Sequence, residues 1–280
     1  MLYVFKVPDT NGALEGEYTW RLLFTALKRT EKEFGGFELR PSVSMSEARE
    51  IKEMESDAQL VNTISLATRP ELEQNLIPVR IPTDCGLLGF RVFLIRAEDQ
   101  PRFNKIKSID DLKSVRIGQG AQWIDCQILE HAGLQVVRGS SFEGLFNMLE
   151  NGRFDAFSRG GYEALRELQA RHSALPDLAI EKTLLLYYPM PAYLWFPNTR
   201  DGKLRAHRVQ VGMSAMVADG TLQKMFEAEY GSLAEKLDFK HRRLLKIDNP
   251  QLGPNDPLKN ATLWYDPFES ERRRDEKNRR

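Results

Sequence analysis

Strand-like and helix-like segments alternate along most of this chain, and the alternation starts afresh near its middle. Residues 2–7 (LYVFKV) are typical of a strand that ends in a turn at 8–12. Apolar residues at helical spacing then run from Tyr18 to Phe34, and a strand and helix pair follows at 37–56. Such alternation favours α/β architecture.

The second series of strands and helices follows a polar stretch that ends near residue 114. A strand ends in the glycines of GQG at 118–120, and a helix follows it. The helix of FEGLFNMLENG then leads into RFDAFSR at 153–159, which is typical of a strand. A long extended passage after it is long enough to return to the first series.

We therefore predict two interleaved lobes, each a mixed sheet flanked by helices. The first lobe comprises 1–93 and 192–268, and the second comprises 94–191. Residues 269–280 lack apolar side chains and are predicted to be a disordered charged tail. Two chain crossings would form a hinge, with a ligand cleft at the carboxyl ends of the strands.

Composition excludes several functional classes. Lys and Arg number 40, as do Asp and Glu, so no overall positive charge recruits nucleic acid. No apolar stretch is long enough to span a bilayer. The chain does not open on a signal segment, so we expect a periplasmic protein whose signal has been removed, or a cytoplasmic one if Met1 is native.

The sequence gives no indication of catalysis or of a cofactor. Cys85 and Cys126 form no CxxC motif, which excludes a typical thiol metal site, and we favour two buried free thiols over a disulfide. No nucleophile is paired with a base, and no metal spacing occurs. We expect surface positions for all four histidines: His131, His172, His207 and His241.

Several local motifs, in this order, resemble the type 2 periplasmic binding fold. They are CGLLGFRVFLIR at 85–96, SIDDLKSVRIGQGAQWIDCQILEHAG at 108–133, SSFEGLFNMLENGRFDAF at 140–157 and ADGTLQKMFEAEYG at 218–231. Within that fold, the chain resembles the solute-binding proteins of amino-acid ABC transporters. Its segment at 249–267 is similar to that of a bacterial subgroup of transporter-type substrate-binding domains.

Arg91 is the first candidate for a binding residue. The resemblance implies that an arginine at the start of the crossing strand pairs with the α-carboxylate of the ligand. A planar guanidinium suits a carboxylate in any case, and it is costly to bury without a partner. The alternative is an arginine paired with a neighbouring Asp or Glu that braces the hinge.

The second candidate is the loop GQGAQW, with Gln119, Gly120, Gln122 and Trp123. Backbone N–H groups at the start of a helix near Gln122 or Trp123 would favour an anionic group. The family often carries Gly-Ser-Thr here, so this loop departs from its pattern. The alternative is an ordinary tight turn, and the dinucleotide fingerprint GxGxxG is not met.

In the family that the chain resembles, an aspartate that holds the ligand ammonium follows the strand corresponding to RFDAF, and here Arg159 lies beside that position. With Arg91 in one lobe and Arg159 in the other, the charges favour a ligand more acidic than a plain amino acid, such as a dicarboxylate or an acidic peptide fragment. The alternative is an ion pair between Arg159 and Glu163 that stabilises the second lobe.

Two minor candidates lie in the first lobe. Thr68 follows the third strand, where it would contact the ligand or serve as the N-cap of the helix at PELEQ, and the cap is favoured. Tyr18 would place its ring against the ligand, whereas Trp20 belongs to the helix face that packs in the core.

The resemblance implies a monomeric solute-binding protein that closes around a small, carboxylate-bearing ligand. Its partner would be a membrane permease of the ABC type. The alternative is a ligand-sensing or non-transport scaffold domain that reports to a membrane sensor protein.

Overall fold

The computed structural model describes residues 1–5, 17–43, 45–56 and 60–269. The predicted turn at 8–12 and nearly all of the predicted tail, 270–280, lie outside these residues. No helix in the described ranges is both long and apolar enough to cross a membrane.

The elements follow the predicted alternation of strands and helices. The strands are β1 (Leu2–Phe5), β2 (Glu38–Pro41), β3 (Ile64–Ala67), β4 (Leu76–Val79), β5 (Phe90–Arg96), β6 (Arg116–Gly120), β7 (Gln135–Gly139), β8 (Ala156–Gly160), β9 (Leu178–Ile180), β10 (Leu184–Tyr187), β11 (Ala192–Pro197) and β12 (Arg243–Lys246). The helices are α1 (Tyr18–Arg29), α2 (Glu31–Phe34), α3 (Glu47–Ser56), α4 (Pro70–Asn75), α5 (Gln100–Phe103), α6 (Ile109–Leu112), α7 (Asp125–His131), α8 (Phe142–Glu150), α9 (Gly161–Arg171), α10 (Arg200–Ala218), α11 (Thr221–Tyr230) and α12 (Leu233–Lys236).

The chain divides into two compact units. The first unit contains Met1–Gly86, Pro191–Glu229 and Gln251–Trp264. The second unit contains Leu87–Met190 and Tyr230–Pro250, and it resumes at Tyr265.

These boundaries differ from the predicted lobes mainly in two segments, and in addition Pro191 belongs to the first unit and 265–268 to the second. The prediction assigned residues up to 93 to the first lobe, but β5 pairs with β8, β9 and β10 of the second unit. It also assigned 230–250 to the first lobe, whereas β12 extends the same sheet by pairing in parallel with β10. Backbone pairing with distant segments determines both assignments, and residue periodicity does not contain that information.

The first unit has an antiparallel sheet in the order β3-β11-β4 and a parallel pair, β1-β2. Trp195 of β11 is buried at its centre, where its Nε1–H donates to the Leu66 carbonyl at 3.0 Å. Helices α1 and α10 pack so closely that a Cβ at Gly212 would lie 2.2 Å from the Ala26 carbonyl oxygen. Only glycine allows this approach.

The segment 251–264 belongs to the first unit and is held there by a buried carboxylate. Asp256 accepts hydrogen bonds from the Tyr193 hydroxyl at 2.8 Å and from Arg80 Nη1 at 3.2 Å. Trp264 closes the segment against Gly86, where a Cβ would come within 2.4 Å of the indole ring. The turn-rich C-terminal stretch is therefore an integral part of this unit.

The second unit is built on one mixed sheet in the order β12-β10-β5-β8-β6-β7, with β9 also paired to β5. Strands β6, β7 and β8 run parallel, and β5 runs antiparallel to β8. The run FRVFLI is apolar except for Arg91 and suits the central position of β5, and all six of these residues are buried.

Asp155, the residue before β8, holds the start of this strand next to Arg116 at the start of β6. Its Oδ2 accepts the Arg116 backbone N–H at 2.8 Å, and its Oδ1 accepts Arg116 Nη2 at 2.9 Å. Arg102 Nη1 lies 3.1 Å from Oδ1. Burial acts to raise the pKa of Asp155, but the hydrogen bonds from Arg116 and Arg102 outweigh it and hold the pKa at about 2, below the ordinary 3.8.

We predict that Asp155 contributes an acid-sensitive part of the stability. Its pKa is depressed, so the contribution is complete above the ordinary pKa of 3.8 and is lost as the pH falls towards about 2. Asp155→Asn should remove at most about 2 kcal/mol of pH-dependent unfolding free energy, reduced further because both arginines are partly exposed.

Urea denaturation between about pH 5 and pH 2 tests this prediction. Asp110→Asn is the matched control, because the Asp110 side chain is 85% exposed in its pair with Lys113. An equal pH dependence in the wild-type protein and Asp155→Asn would contradict the role of this carboxylate.

Candidate functional site

Charged and polar side chains collect at one edge of the sheet in the second unit. Gln119 and Ser158 lie near the carboxyl ends of the parallel strands β6 and β8. Arg91 is at the same edge, since it lies opposite Gly160 in the antiparallel register of β5 and β8. Ligands of open α/β sheets bind at the carboxyl ends of strands, which makes this edge the candidate site.

Arg91 is buried, with 1% of its surface exposed. Its Nη2 lies 3.0 Å from Asp125 Oδ1 and donates to the Ser158 carbonyl at 3.3 Å, while Nη1 donates to the Leu88 carbonyl at 3.1 Å. Burial alone would lower the pKa of this guanidinium, but Asp125 and other neighbours raise it above its ordinary value. Arg91 is therefore a permanently charged group with its own counter-ion.

Asp125 connects Arg91 to Tyr188, the residue that follows β10. Asp125 is the first residue of α7, and its Oδ1 accepts a hydrogen bond from the Tyr188 hydroxyl at 2.5 Å. Tyr188 is fully buried, and burial raises its pKa well above the ordinary value. Its hydroxyl thus stays protonated and serves as a fixed donor to Asp125.

Arg159 forms a second buried cluster on β8. It is 7% exposed, its Nη2 lies 2.6 Å from Glu167 Oε1 and 3.0 Å from Glu163 Oε1, and its Nε donates to both Glu167 oxygens at 3.0 Å. The guanidinium carbon lies 4.7 Å from the ring centre of Trp123 and 5.2 Å from that of Phe157. Carboxylates and aromatic faces together compensate the buried charge.

The pKa values of the two glutamates that pair with Arg159 are shifted in opposite directions. Burial acts to raise the pKa of Glu163, but Arg159, Arg91 and the Gly160 N–H outweigh it, and the pKa lies below its usual value. Burial raises the pKa of Glu167, and the attraction of Arg159 only partly offsets this effect. At neutral pH Glu163 is consequently an ionised carboxylate.

The structure corrects the predicted positions of the two arginines. Both Arg91 and Arg159 lie in the second unit, on adjacent strands, so they do not come from opposite lobes. Each has the carboxylate partner that the sequence left open as the alternative: Asp125 for Arg91 and Glu163 for Arg159. Their contact with a ligand stays a prediction.

The loop GQGAQW adopts a tight turn whose backbone groups are largely used within the chain. The Ala121 N–H donates to the Gly139 carbonyl, and the Gly120 carbonyl accepts the Trp123 N–H. Helix α7 begins only at Asp125, later than predicted. Gln122 is exposed and Trp123 is half-buried against Arg159.

Gln119 points into the second unit, where it is fully buried. Its Nε2 donates to the Ser158 carbonyl at 3.0 Å, the same oxygen that Arg91 contacts. Three side-chain atoms of this group, Gln119 Oε1, Ser158 Oγ and Arg91 Nε, have no hydrogen-bond partner among the described residues. These three residues therefore have donor or acceptor atoms that could form further hydrogen bonds, in addition to the ion pair of Arg91.

Thr68 and Tyr18 lie in the first unit, and both are buried. The predicted N-cap role of Thr68 is wrong, because the N-cap residue of α4 is Arg69. The Thr68 N–H instead donates to the Pro191 carbonyl at 3.0 Å, which continues the extended strand. Ligand contact by either residue stays a prediction, whereas Trp20 is buried as expected.

Sequence reasoning missed Asp125, Tyr188 and Glu167. The signal for Glu167 was local, because Glu163 and Glu167 recur at helical spacing after Arg159. No local pattern could join Arg91 to Asp125 or Tyr188, since a sheet and a helix start bring these residues together.

Neither thiol has the character of a nucleophile. Cys85 and Cys126 are free and buried, as expected, and burial raises the pKa of Cys85 to about 12 and that of Cys126 to about 11. All four histidines are exposed, which confirms their predicted surface positions. No metal-binding group of His, Cys, Asp or Glu occurs in the described parts of the chain.

No protein-family model and no curated protein matches this sequence. Solved structures match it with high probability. An ancestral arginine-binding protein bound to glutamine aligns with a TM-score of 0.58 at 18% identity, covering 82% of this chain and 98% of that one. An amino acid ABC transporter substrate-binding protein from Streptococcus pneumoniae, bound to L-arginine, gives 0.57 at 16%, covering 82% and 94%.

A third solved structure broadens the comparison. The GluR0 ligand-binding core from Nostoc punctiforme, in complex with L-glutamate, aligns with a TM-score of 0.53 at 18% identity, covering 81% of this chain and 97% of that one. At such identities the likeness shows the fold. The predicted fold class, a mixed α/β fold that these solved structures share, is confirmed.

We predict that Arg91 and Asp125 stabilise the second unit only as a pair. Arg91→Met leaves a buried carboxylate without its cation and should lower the free energy of unfolding by about 3–5 kcal/mol. Arg91→Met combined with Asp125→Leu should recover much of that loss, which a double-mutant cycle in urea measures.

Lys113→Met is the control for this cycle. Lys113 pairs with Asp110 at the surface, and its loss should cost about 1 kcal/mol or less. If Arg91→Met were as mild as Lys113→Met, the buried pair would not be a determinant of stability.

Proposed function

We propose that this chain is a solute-binding protein that takes up a small molecule carrying an ammonium group. The ammonium binds Glu163 at the strand-end edge of the second unit. The fold supports a solute-binding role, and the exposure and charge of Glu163 support the choice of ligand.

Glu163 differs from the other charged residues of the site in being reachable. Its side chain is 18% exposed, whereas those of Arg91, Asp125, Arg159 and Glu167 are all below a tenth. Its Oε2 accepts the Gly160 N–H at 2.8 Å and its Oε1 faces Arg159 at 3.0 Å. A carboxylate has about four acceptor positions, so Glu163 retains capacity for a ligand N–H group.

The charge balance of the site argues against a strongly acidic ligand. Arg91 and Arg159 face three carboxyl groups, those of Asp125, Glu163 and Glu167. The predicted dicarboxylate or acidic peptide depended on two uncompensated arginines, and neither arginine is uncompensated. An ammonium group instead meets a carboxylate whose lowered pKa keeps it ionised.

The ligands of the similar solved structures agree with this choice. Glutamine, arginine and glutamate are the molecules bound in the three proteins compared above, and each carries an α-ammonium group. We therefore place the ligand of this chain among amino acids and related small amines. Delivery to an ABC-type membrane permease is the role that we propose for the loaded protein.

A ligand-free scaffold, or a sensing domain that reports to a membrane protein, is the second candidate. The observation in its favour is the same internal compensation of Arg91 and Arg159, since a site whose cations are already paired can be stable without a solute. The scaffold differs from the first candidate in binding no solute, whereas a sensing domain would bind a solute and report to a membrane protein without a permease.

We expect the wild-type protein to bind an L-amino acid. It should not bind the corresponding α-hydroxy acid, which lacks the amine. Thermal-shift screening followed by calorimetry measures this, because a ligand at about a hundred times its Kd adds about 2.7 kcal/mol of stability. Glu163→Gln should weaken binding about tenfold or more, as it removes a charge-assisted contact.

Glu150→Gln, an exposed glutamate on α8 of the same unit, is the matched control and should leave binding unchanged. Equal binding of the hydroxy acid, or full binding by Glu163→Gln, would contradict the role of Glu163. The absence of a shift with every amine and acid would instead favour the scaffold.

A further inference from the structure

The guanidinium of Arg159 is held in the way that proteins hold a bound cation. Three aromatic rings surround its central carbon, with ring centres at 4.7 Å for Trp123, 5.2 Å for Phe157 and 5.6 Å for Phe142. Glu167 accepts three hydrogen bonds from it, and Glu163 lies 3.0 Å from Nη2. We call these five residues the aromatic-carboxylate box.

The walls of the box also contact one another. Trp123 and Phe157 stack with ring centres 6.1 Å apart and an interplanar angle of 11°. Phe142 lies 6.4 Å from Trp123 and packs edge-on against Phe146 at 5.3 Å. These ring-to-ring contacts stabilise the walls independently of the contacts that Arg159 makes.

The box lies close to the surface of the second unit. Phe142 is 37% exposed and Trp123 is half-buried, whereas Arg159 and Glu167 are buried behind them. A small molecule could reach the carboxylates past the Phe142 ring if the Arg159 side chain were absent.

We infer that the box is a guanidinium site of the second unit which the chain fills with its own Arg159, so that Arg159 determines specificity by excluding other guanidinium groups from the space between the rings and Glu167. Truncation of Arg159 converts the box into a binding site for a small guanidinium ion. This inference depends on the contacts of Arg159, and it holds whether or not Glu163 binds a solute in the wild-type protein.

Arg171 shows what distinguishes the box from a general aromatic contact. Its guanidinium also lies over Phe142 and Phe146, at 5.1 Å and 3.9 Å, but its carboxylate partner Glu143 is 73% exposed. The carboxylate partner of Arg171 is thus largely in water, whereas Glu167 is buried and burial raises its pKa. Arg171 therefore supplies the matched control.

The test compares Arg159→Ala, Arg171→Ala and the wild-type protein, each with methylguanidinium or with methylurea, which has the same shape but no charge. About 10 mM of either compound suffices, far below the molar concentrations at which guanidinium denatures proteins. Arg159→Ala should unfold at a lower temperature than the wild-type protein, and methylguanidinium alone should raise its Tm by several degrees. The Tm of Arg171→Ala and of the wild-type protein should not change.

Addition of Glu167→Gln to Arg159→Ala should weaken methylguanidinium binding about tenfold, because the main buried carboxylate is lost. If Arg159→Ala alone gives no cooperative transition, recovery of folding with methylguanidinium but not with methylurea supports the inference. The same response to both compounds, no response to either, or an equal Tm rise in all three proteins would overturn it.

Discussion

The burial of two guanidinium groups at one sheet edge is the constraint on which the second unit depends. A buried charge is tolerated only where counter-charges and hydrogen bonds replace the water that it has lost. Arg91 obtains this from Asp125 and two backbone carbonyls, and Arg159 obtains it from Glu163, Glu167 and aromatic rings. Segments from β5, β8, α7 and α9 therefore have to meet at this edge.

The first unit also buries a guanidinium group, but its charge is compensated by different groups. Arg208 is fully buried, and its guanidinium donates to the Thr30 hydroxyl and to the carbonyls of Leu27 and Gly35. Backbone carbonyls at helix ends carry partial negative charge, so a cation is favourable there. In the first unit helix ends compensate the buried Arg208, whereas at the sheet edge of the second unit carboxylates compensate Arg91 and Arg159.

Compensation within the second unit is also the basis of the proposed ligand selectivity. Because both arginines already have acidic partners, the carboxylate of Glu163 is the charged group of the site that remains partly exposed, and we propose that it binds an amine. Arg159 in turn fills the box beside it. The proposed ligand site thus depends on two features: the arginines are already paired with carboxylates, and the Glu163 carboxylate is partly exposed.

The sequence by itself determined the order of strands and helices, the α/β class and the exposed positions of the histidines, because periodicity and turn residues act over a few neighbouring positions. It also contained the Arg159 and Glu163 pair, since the two residues are only four positions apart in the sequence. Only the tertiary structure decided that Arg91 belongs to the second unit and pairs with Asp125 and that Asp125 holds Tyr188. Those contacts follow from the central position of β5 in the sheet, which backbone pairing between distant segments sets.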